Sequence, residues 1–508
     1  MKNALPSRLA DEYLVPALLA AVTLLIHCIT NAHYGFFRDE LYFIICGRHP
    51  DWGYVDQPPL VPLLAAASQA FGISLFALRL IPALFAAGGV FATARLVREF
   101  GGGAFAQSIG GLCVALAPVL LTFGTELGPD DVGMWLWPLA ALYVARLVQG
   151  ADPRWWLGVG LALGVSGQAK YSVLFFGVAL LIGIALSPSR RILRTPWMPA
   201  GVALALLIVA PNIAWQVAHG LPMLELLQAG QHGKNVILTP LQFVMADVVI
   251  LNPIFALVWL AGLVLAFVRP ATRWVGWTFA IVIAAMIALH AKDYYPADVY
   301  PLLFATGGVA IEILTRRAAF LRPAVAAIAL AAGLLLLPFG TPALSETQLV
   351  AYGHIVGRVL STPPREHHKE ARMMSDFADM HGWPEMTAAV AAVYDALSPS
   401  ERTGAGINAS NYGEASAINF FGGKYGLPVA SSGHNQYWIW GPHFKRGGTL
   451  IDVNGNESVL HKVCTSVSLG ATYSNPWGMP YEDDLPIYVC RGLKVDVAAI
   501  WPFVRNYN

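Results

Sequence analysis

The stretch ALLAAVTLLIHCITNAHYGFFRDELYFI (residues 17–44) joins a long apolar segment directly to three charged residues, Arg38, Asp39 and Glu40. Charged side chains beside hydrocarbon are costly unless the chain leaves the apolar phase there and enters water or a polar cavity. The stretch therefore predicts a membrane-spanning helix that ends near residue 33 and is followed by a polar site at the membrane boundary.

The composition is that of a membrane protein. Of the 508 residues, 56% are hydrophobic and 12% are charged, whereas a soluble domain carries roughly 25% charged residues. The net charge of +1 gives no reason to expect a nucleic-acid partner.

A helix needs about 20 apolar residues to cross a bilayer, and the first such segment lacks a small-residue cleavage site, so it is expected to remain as a span. Eleven spans are predicted, at residues 14–33, 76–98, 104–123, 131–149, 155–169, 170–187, 197–217, 241–267, 273–290, 298–315 and 320–338.

Basic residues are distributed unevenly between the predicted connections. Arg95 and Arg98 end the second segment, and Arg190 and Arg191 follow the sixth. Short connections rich in lysine and arginine stay in the cytoplasm, which places the N-terminus inside and, after eleven crossings, the C-terminus outside. We therefore expect a multi-pass protein of a bacterial inner membrane, with its C-terminal part in the periplasm.

Two domains are predicted from the change in character along the chain. Residues 1–339 are expected to form a transmembrane domain with a long outer loop at 34–75, and residues 340–508, the C-terminal region, a soluble α/β domain. In that region LPVASS and LPIYVC are typical of strands. Cys464 and Cys490 also lie there and would pair in an oxidising compartment, but their spacing in sequence does not decide whether they do.

The outer loop contains two apolar stretches that are too short to span a membrane, at residues 38–48 and 58–72. We expect both to form helices in the membrane interface, where they would hold Asp39, Glu40 and Asp56 above the hydrocarbon. An alternative is that Asp39 and Glu40 only cap and charge the N-terminus of the first short helix.

A second acidic pair, Asp130 and Asp131, stands where the fourth predicted span begins. Helix capping is again the simpler interpretation. A hydroxyl nucleophile, however, needs a proton acceptor within hydrogen-bond reach while its bond to carbon forms. One acidic cluster would then act as general base while the other orients the hydroxyl, or Asp39 and Asp130 would hold a divalent metal ion.

Cationic residues are predicted at the same level of the membrane. Lys170, Lys292 and Arg79 would suit a phosphate group, and the alternative for the lysines is snorkelling to the interface. Tyr294 and Tyr295 fit an aromatic belt at the membrane boundary better than a catalytic set.

No P-loop or dinucleotide-binding motif is present, so no nucleotide cofactor is expected and the activated group would arrive on a lipid carrier.

The C-terminal region offers four polar side chains within NYGEASAINF and SGHNQY, namely Asn411, Glu414, His434 and Asn435. They are candidates for contacts to a sugar acceptor. Residues of these types more often cap helices and turns, and the sequence leaves both interpretations open.

Four motifs carry a resemblance to a known family: FFRDELYFIICGRHPDWGYVDQPPLVPLL (36–64), GPDD (128–131), AKYSVLF (169–175) and KDYYPADVYP (292–301). They resemble the dolichyl-phosphate-mannose–protein mannosyltransferase-like family, whose GT-C fold also includes bacterial lipid A aminoarabinose transferases. The resemblance extends over roughly residues 14–315. It implies about eleven transmembrane helices, interfacial helices in the first outer loop, and inverting transfer of a sugar from a polyprenyl monophosphate to an acceptor hydroxyl.

The resemblance also implies roles for individual residues. Asp39 would be the general base with Glu40 beside it, and Asp130 or Asp131 would support the acceptor or a divalent ion. The donor phosphate would be held by Lys170, Lys292 and Arg79. Apart from the resemblance, Asp56, Tyr294 and Tyr295 are candidates for support of the acceptor or the loop. Two features depart from the family pattern: the second acid is ambiguous between two adjacent aspartates, and the C-terminal region does not match the protein mannosyltransferases.

The function expected from these observations is a glycosyltransferase that uses a polyprenyl-phosphate-linked sugar and a glycan, lipid or protein acceptor, among membrane lipids. The main alternative is a secondary transporter of a polar or anionic substrate. Transporters commonly place ionisable residues near the membrane midplane, in broken helices related by repeats. Here the charged residues cluster at one boundary, which favours the enzyme. A membrane-anchored binding module would leave the two acidic pairs unexplained.

Overall fold

The structure is a computed structural model in which residues 4–357, 366–367 and 369–507 are described. The ends of the two predicted domains, residues 1–3 and 508, lie outside this part of the chain. The first part of the chain forms a helical bundle. Its α-helices are α1 (Ala4–Thr30), α2 (Arg38–Arg48), α3 (Leu60–Ser68), α4 (Leu75–Glu99), α5 (Ala104–Leu116), α6 (Pro118–Thr125), α7 (Pro129–Val148), α8 (Trp155–Gly167), α9 (Ser172–Ala185), α10 (Trp197–Ala218), α11 (Pro222–Ala229), α12 (Pro240–Ile250), α13 (Pro253–Val268), α14 (Arg273–Ala288), α15 (Tyr300–Leu314) and α16 (Arg322–Leu336).

Each predicted apolar segment coincides with one of these helices or with two consecutive ones. In the described part of the chain, six helices are long and apolar enough to cross a membrane by themselves, and up to eight spans result if each of two bent helix pairs counts as one. Three further apolar helices, α8, α9 and α14, are shorter. The chain is therefore a multi-pass membrane protein, while the number of eleven crossings stays a prediction.

Two of the predicted spans bend at a proline. α5 and α6 meet at 62°, where Pro118 begins α6, and α12 and α13 meet at 113°, where Pro253 begins α13. Proline has no N–H with which to continue the preceding helix, but it suits the first turn of a new one. Hydropathy averaged over a segment does not register such a bend, so the sequence predicted each pair as one straight span.

The two short helices of the outer loop form where they were predicted, as α2 and α3. Residues Glu40 to Gly47 of α2 are all buried, and the position of this helix in the membrane interface stays a prediction. α3 packs so closely on one side that a Cβ on Gly47 would lie 2.1 Å from the Pro62 carbonyl oxygen. The C-terminal region packs on α2 as well, through α21, so this helix lies between α3 and the C-terminal region.

The C-terminal region contains helices and strands in its described part. The helices are α17 (Glu346–Val356), α18 (Ser375–Ala378), α19 (Trp383–Asp395), α20 (Pro399–Arg402), α21 (Tyr412–Phe421), α22 (Gln436–Trp440), α23 (Glu457–Val463) and α24 (Val497–Ile500), and the strands are β1 (Gly406–Ala409), β2 (Ala430–Ser431), β3 (Leu450–Val453), β4 (Cys464–Tyr473) and β5 (Leu485–Leu493). The sheet order is β2-β1-β3-β5-β4. β1 is parallel to β2 and β3, and β5 is antiparallel to β3 and β4. That this region is a separate soluble domain stays a prediction.

A disulfide joins Cys464 in β4 to Cys490 in β5, with their Cα atoms 5.6 Å apart. The sequence left this pairing open. In the antiparallel register the two cysteines are offset by three positions, since Cys490 lies opposite Val467 on β4 and Cys464 opposite Leu493 on β5. The predicted strands LPVASS and LPIYVC contain β2 and the start of β5.

The C-terminal region contacts the loop between α1 and α2 through backbone and aromatic groups. Arg38 N donates to the Asp379 carbonyl at 3.1 Å, and the rings of Phe36 and Phe420 lie 5.1 Å apart, edge to face. At Gly35 a Cβ would lie 2.3 Å from the Met380 carbonyl oxygen, so this approach requires glycine. These contacts set the C-terminal region directly on the residues that the sequence marked as chemical.

Candidate active site

The predicted site residues gather at one end of the bundle, which we call the site end, where α1, α6 and α8 finish and α4, α7 and α9 begin. The turn after α1 reaches the start of α4, since Asn31 Nδ2 donates to the Arg79 carbonyl at 2.8 Å. The turn between α8 and α9 reaches the start of α7, since Lys170 Nζ lies 2.6 Å from Asp130 Oδ1. Charged residues far apart in sequence are thus brought together.

Glu40 and Arg79 form a fully buried ion pair at the site end. Both side chains are 0% exposed, and the guanidinium donates to both carboxylate oxygens at 3.0 Å. Glu40 also accepts hydrogen bonds from the backbone N–H groups of Phe37 at 2.8 Å and Leu127 at 3.1 Å. The pair therefore holds together the start of α2, the start of α4 and the turn before α7.

The remaining N–H groups of Arg79 are also occupied. Nη1 donates to the carbonyls of Asn31 and His33, and Nη2 donates to that of Gly35 at 2.7 Å. A guanidinium has five N–H donors, and all five have partners. This geometry favours a structural role for Arg79 over the predicted phosphate contact, and the capping interpretation for Glu40.

Asp39, next in sequence to Glu40, has a different environment. Its side chain is 32% exposed, so a substrate can reach it. Its Oδ1 accepts a hydrogen bond from the Tyr412 hydroxyl at 2.7 Å and a longer one from Arg38 Nε at 3.4 Å. Of the first acidic pair, Asp39 is the carboxylate that remains accessible.

The second acidic pair divides in the same way. Asp131 is buried and caps α7, because its Oδ2 accepts from the Gly128 N–H at 2.7 Å. Asp130 is partly exposed and contacts Lys170. Each adjacent pair therefore contains one carboxylate that fixes a helix start and one that is free to meet a ligand.

Both predicted lysines have a carboxylate partner and remain partly exposed. Lys170 contacts Asp130, as above, and its ammonium lies 3.9 Å from the centre of the Tyr295 ring. Lys292 Nζ lies 2.5 Å from Glu366 Oε1. An ammonium carries three N–H donors, so one carboxylate contact leaves donors for a phosphate. Tyr294 packs edge-on against Tyr295 at 5.0 Å, and the two rings support Lys170 rather than stand alone in a belt.

Asp56 lies near Asp39 and is contacted from both sides. The Tyr42 hydroxyl donates to its Oδ1 at 3.0 Å and Asn435 Nδ2 donates to its Oδ2 at 3.3 Å. Burial raises the pKa of Asp56 to about 7, and the neighbouring charge of Asp39 acts in the same direction. This carboxyl group is therefore poised to change its protonation near neutral pH, within the same site as Asp39.

The four polar candidates of the C-terminal region separate into two groups. Asn411 and Glu414 cap the start of α21: Asn411 Oδ1 accepts from the Glu414 N–H at 3.0 Å, and Glu414 Oε2 accepts from the Ser410 N–H at 2.8 Å. Asn435 reaches Asp56, and the His434 ring lies 4.9 Å from that of Tyr412. The second group contacts residues of the site directly, whereas the first caps the helix that begins with Tyr412.

A metal site is not formed by these side chains alone. Among the residues that the structure describes, no group of three or more His, Cys, Asp or Glu side chains is arranged to hold a metal ion. Asp39 and Asp130 contact different partners, Tyr412 and Lys170. A metal requirement stays a prediction to be tested.

Sequence reasoning missed two residues at the site end. Tyr412 lies 373 positions from Asp39 in the chain, and no local pattern links the two. Glu126 is buried beside the Glu40–Arg79 pair, and its Oε2 has no hydrogen-bond partner among the described residues. The sequence feature that could have identified Glu126 is its position in TELGPDD, just before the second acidic pair.

Comparison with known proteins gives a family resemblance for part of the chain and the fold of the whole. Residues 56–215 match the family model described as dolichyl-phosphate-mannose-protein mannosyltransferase. No curated protein matches the chain in sequence. Among solved structures, ArnT from Cupriavidus metallidurans in the apo state is similar with a TM-score of 0.59 and 14% identity, over 93% of this chain and 97% of that one.

Two further structures have the same architecture. The ArnT structure bound to undecaprenyl phosphate has a TM-score of 0.57 and 15% identity over the same shares of both chains. The arabinofuranosyltransferase AftD from Mycobacteria has a TM-score of 0.54 and 14% identity, over 95% of this chain and 40% of that one. In sequence, residues 56–215 thus resemble the dolichyl-phosphate-mannose–protein mannosyltransferases, and the chain as a whole has the fold of the ArnT and AftD structures.

Proposed function

We propose that the protein is an inverting glycosyltransferase that moves a sugar from a polyprenyl-phosphate donor to a hydroxyl group of a glycan, lipid or protein. The observation that carries this proposal is the composition of the site end. One accessible carboxylate, Asp39, lies at the same end of the bundle as two partly exposed lysines. The fold supports a lipid-linked donor, because a protein of the same architecture has been solved with undecaprenyl phosphate bound.

The chemistry divides between these residues. The acceptor hydroxyl attacks the anomeric carbon and gives its proton to Asp39 as the new C–O bond forms. The bond between that carbon and the phosphate oxygen breaks on the opposite face of the sugar, so the configuration inverts. The polyprenyl phosphate leaves with the extra negative charge, which the ammonium groups of Lys170 and Lys292 stabilise. Asp130 holds Lys170 in place for this step.

We place the reaction at the outer face of a bacterial inner membrane. The distribution of lysine and arginine between the connections supports this orientation. The Cys464–Cys490 disulfide supports it independently, since disulfides persist in oxidising compartments such as the periplasm. The C-terminal region would then be periplasmic.

The direct test is sugar transfer by the purified protein in liposomes. Undecaprenyl phosphate carrying a labelled hexose or pentose is supplied with lipid, glycan and protein fractions of a bacterial envelope. We expect labelled acceptor together with free undecaprenyl phosphate, both identified by mass spectrometry. Repeating the reaction with EDTA tests the metal requirement. Uptake of a polar or anionic solute into the liposomes without any transfer would instead indicate the transporter.

Lys292→Ala is expected to weaken donor binding, because a charge-assisted contact to the phosphate is lost. Such hydrogen bonds contribute about 1.5–3 kcal/mol, which corresponds to a rise of about 10- to 100-fold in the donor KM. Lys292→Arg keeps the charge and should retain most of the affinity. Lys424→Ala is the matched control, since Lys424 lies in the C-terminal region against Tyr425. An unchanged KM in Lys292→Ala would show that this lysine only snorkels to the interface.

A further inference from the structure

The C-terminal region places one side chain directly on the proposed general base. α21 packs against α2, and Tyr412 is the first residue of α21. The Tyr412 hydroxyl donates to Asp39 Oδ1 at 2.7 Å. This hydrogen bond is shorter than the one from Arg38 Nε, which lies 3.4 Å from the same oxygen.

The side chain of Tyr412 is fixed by contacts on several sides, so it can orient the carboxylate of Asp39. Its ring lies 4.7 Å from that of Tyr42 and 4.9 Å from that of His434, and the Arg38 guanidinium lies 5.3 Å from its centre. Burial raises the pKa of Tyr412 well above its usual range, although the charge of Arg38 opposes this. The phenol therefore keeps its proton and acts as the donor to Asp39.

The close approach of α21 to α2 depends on a glycine and on Arg38. A Cβ on Gly413 would lie 2.4 Å from Arg38 Cγ, so a larger residue would push the two helices apart. Arg38 is fixed from the other side, where Nη1 donates to the Tyr481 hydroxyl at 2.6 Å and lies 3.6 Å from Asp379. Both of these partners belong to the C-terminal region.

A second contact from the same region reaches Asp56, a partly buried carboxylate of the outer loop. Asn435 Nδ2 donates to Asp56 Oδ2, and the Gln436 amide contributes through Oε1, which accepts from the Val55 N–H at 3.1 Å. α21 and the turn before α22 thus reach the site independently of each other. The region lies over the site and supplies hydrogen bonds to it.

We propose that the C-terminal region is part of the active site and that Tyr412 is a positioning residue for Asp39. A carboxylate on a half-exposed side chain can rotate, and only some orientations present an oxygen to the acceptor hydroxyl. By binding Oδ1, Tyr412 fixes the rotamer and leaves Oδ2 to take the proton. Orientation of this kind is worth a large rate factor, because a misplacement of about 1 Å can cost 100-fold. This inference rests on the proposed function.

Tyr412→Phe tests the proposal, since it removes the hydroxyl and keeps the ring. We expect kcat for transfer from the undecaprenyl-phosphate-linked sugar to fall by about 10- to 100-fold, with the donor KM unchanged because the lysines are untouched. Tyr437→Phe is the matched control: its hydroxyl contacts Ser416 Oγ at 3.0 Å within the C-terminal region. Both variants lose a buried hydrogen bond, so their melting temperatures should be similar while only Tyr412→Phe loses kcat.

Gly413→Ala provides a second variant in which the Tyr412 hydroxyl is intact but displaced. We expect it to lower kcat in the same direction, with the donor KM again unchanged. Wild-type kcat in Tyr412→Phe, or equal losses in Tyr412→Phe and Tyr437→Phe, would overturn the positioning role and leave the proposed function standing. Failure of the wild-type protein to transfer any sugar would overturn both.

Discussion

Asp39→Asn is expected to lower sugar transfer by about 100- to 10,000-fold, the range for loss of a general base. Asparagine has nearly the same shape and still offers Oδ1 to the Tyr412 hydroxyl, but its amide cannot take a proton from the acceptor. Donor binding should persist, because the phosphate contacts proposed for Lys170 and Lys292 are unaffected. The measurement is kcat for transfer in liposomes, alongside a direct binding assay with undecaprenyl phosphate.

Asp51→Asn is the matched control for this experiment. Asp51 is an exposed carboxylate of the same outer loop, and its Oδ2 accepts from Trp215 Nε1 at 2.8 Å, away from Asp39. We expect this variant to keep wild-type turnover. Full activity in Asp39→Asn would remove Asp39 from the role of base and direct attention to Asp56, the other carboxyl group of the cluster.

Glu40→Gln is expected to destabilise the protein rather than to act on the chemistry alone. The substitution leaves the Arg79 guanidinium buried at 0% exposure without its counter-charge. Removing one partner of a buried ion pair costs about 3–5 kcal/mol. The measurement is thermal unfolding of the detergent-solubilised protein, with Asp39→Asn beside it as the neighbouring acid whose replacement leaves stability near that of the wild type.

A double variant distinguishes a lost ion pair from a lost hydrogen-bond acceptor. In Glu40→Gln with Arg79→Gln, no unpaired charge remains, so the combined loss of stability should be smaller than the sum of the two single losses. Additive losses would argue against the pair as the source of the effect. A Glu40→Gln protein that is as stable as the wild type but inactive would place Glu40 in the chemistry instead.

Most helices of the membrane part were predictable, because they form through interactions between residues that are close together in sequence. A helix forms where about 20 apolar residues follow one another, and every predicted segment proved to be helical. The start of α2 at Arg38 and of α7 at Pro129 was predictable for the same reason, since acidic residues favour helix N-termini. The bends at Pro118 and Pro253 were not, because a hydropathy average is insensitive to a change of direction.

The burial of α2 and the roles of Arg79 and Tyr412 depended on distant parts of the chain. The sequence predicted Arg79 as a phosphate ligand. In the structure its guanidinium instead donates to carbonyls of the α1–α2 loop and to the Glu40 carboxylate. The sequence does not show that α21 covers α2. Tyr412 resembled any other buried aromatic residue until the tertiary structure set it against Asp39.

The amino-acid sequence by itself determined that the chain crosses a membrane repeatedly and that its acidic pairs and lysines stand at the ends of helices. Hydropathy and capping act between residues that are neighbours along the chain, so they can be read from it. Only the tertiary structure decided which acid of the first pair is accessible, since Glu40 is buried against the Leu127 N–H and Asp39 accepts a hydrogen bond from a tyrosine 373 positions away. Hydrogen bonds between distant segments exist only once the packing has brought their donors and acceptors together.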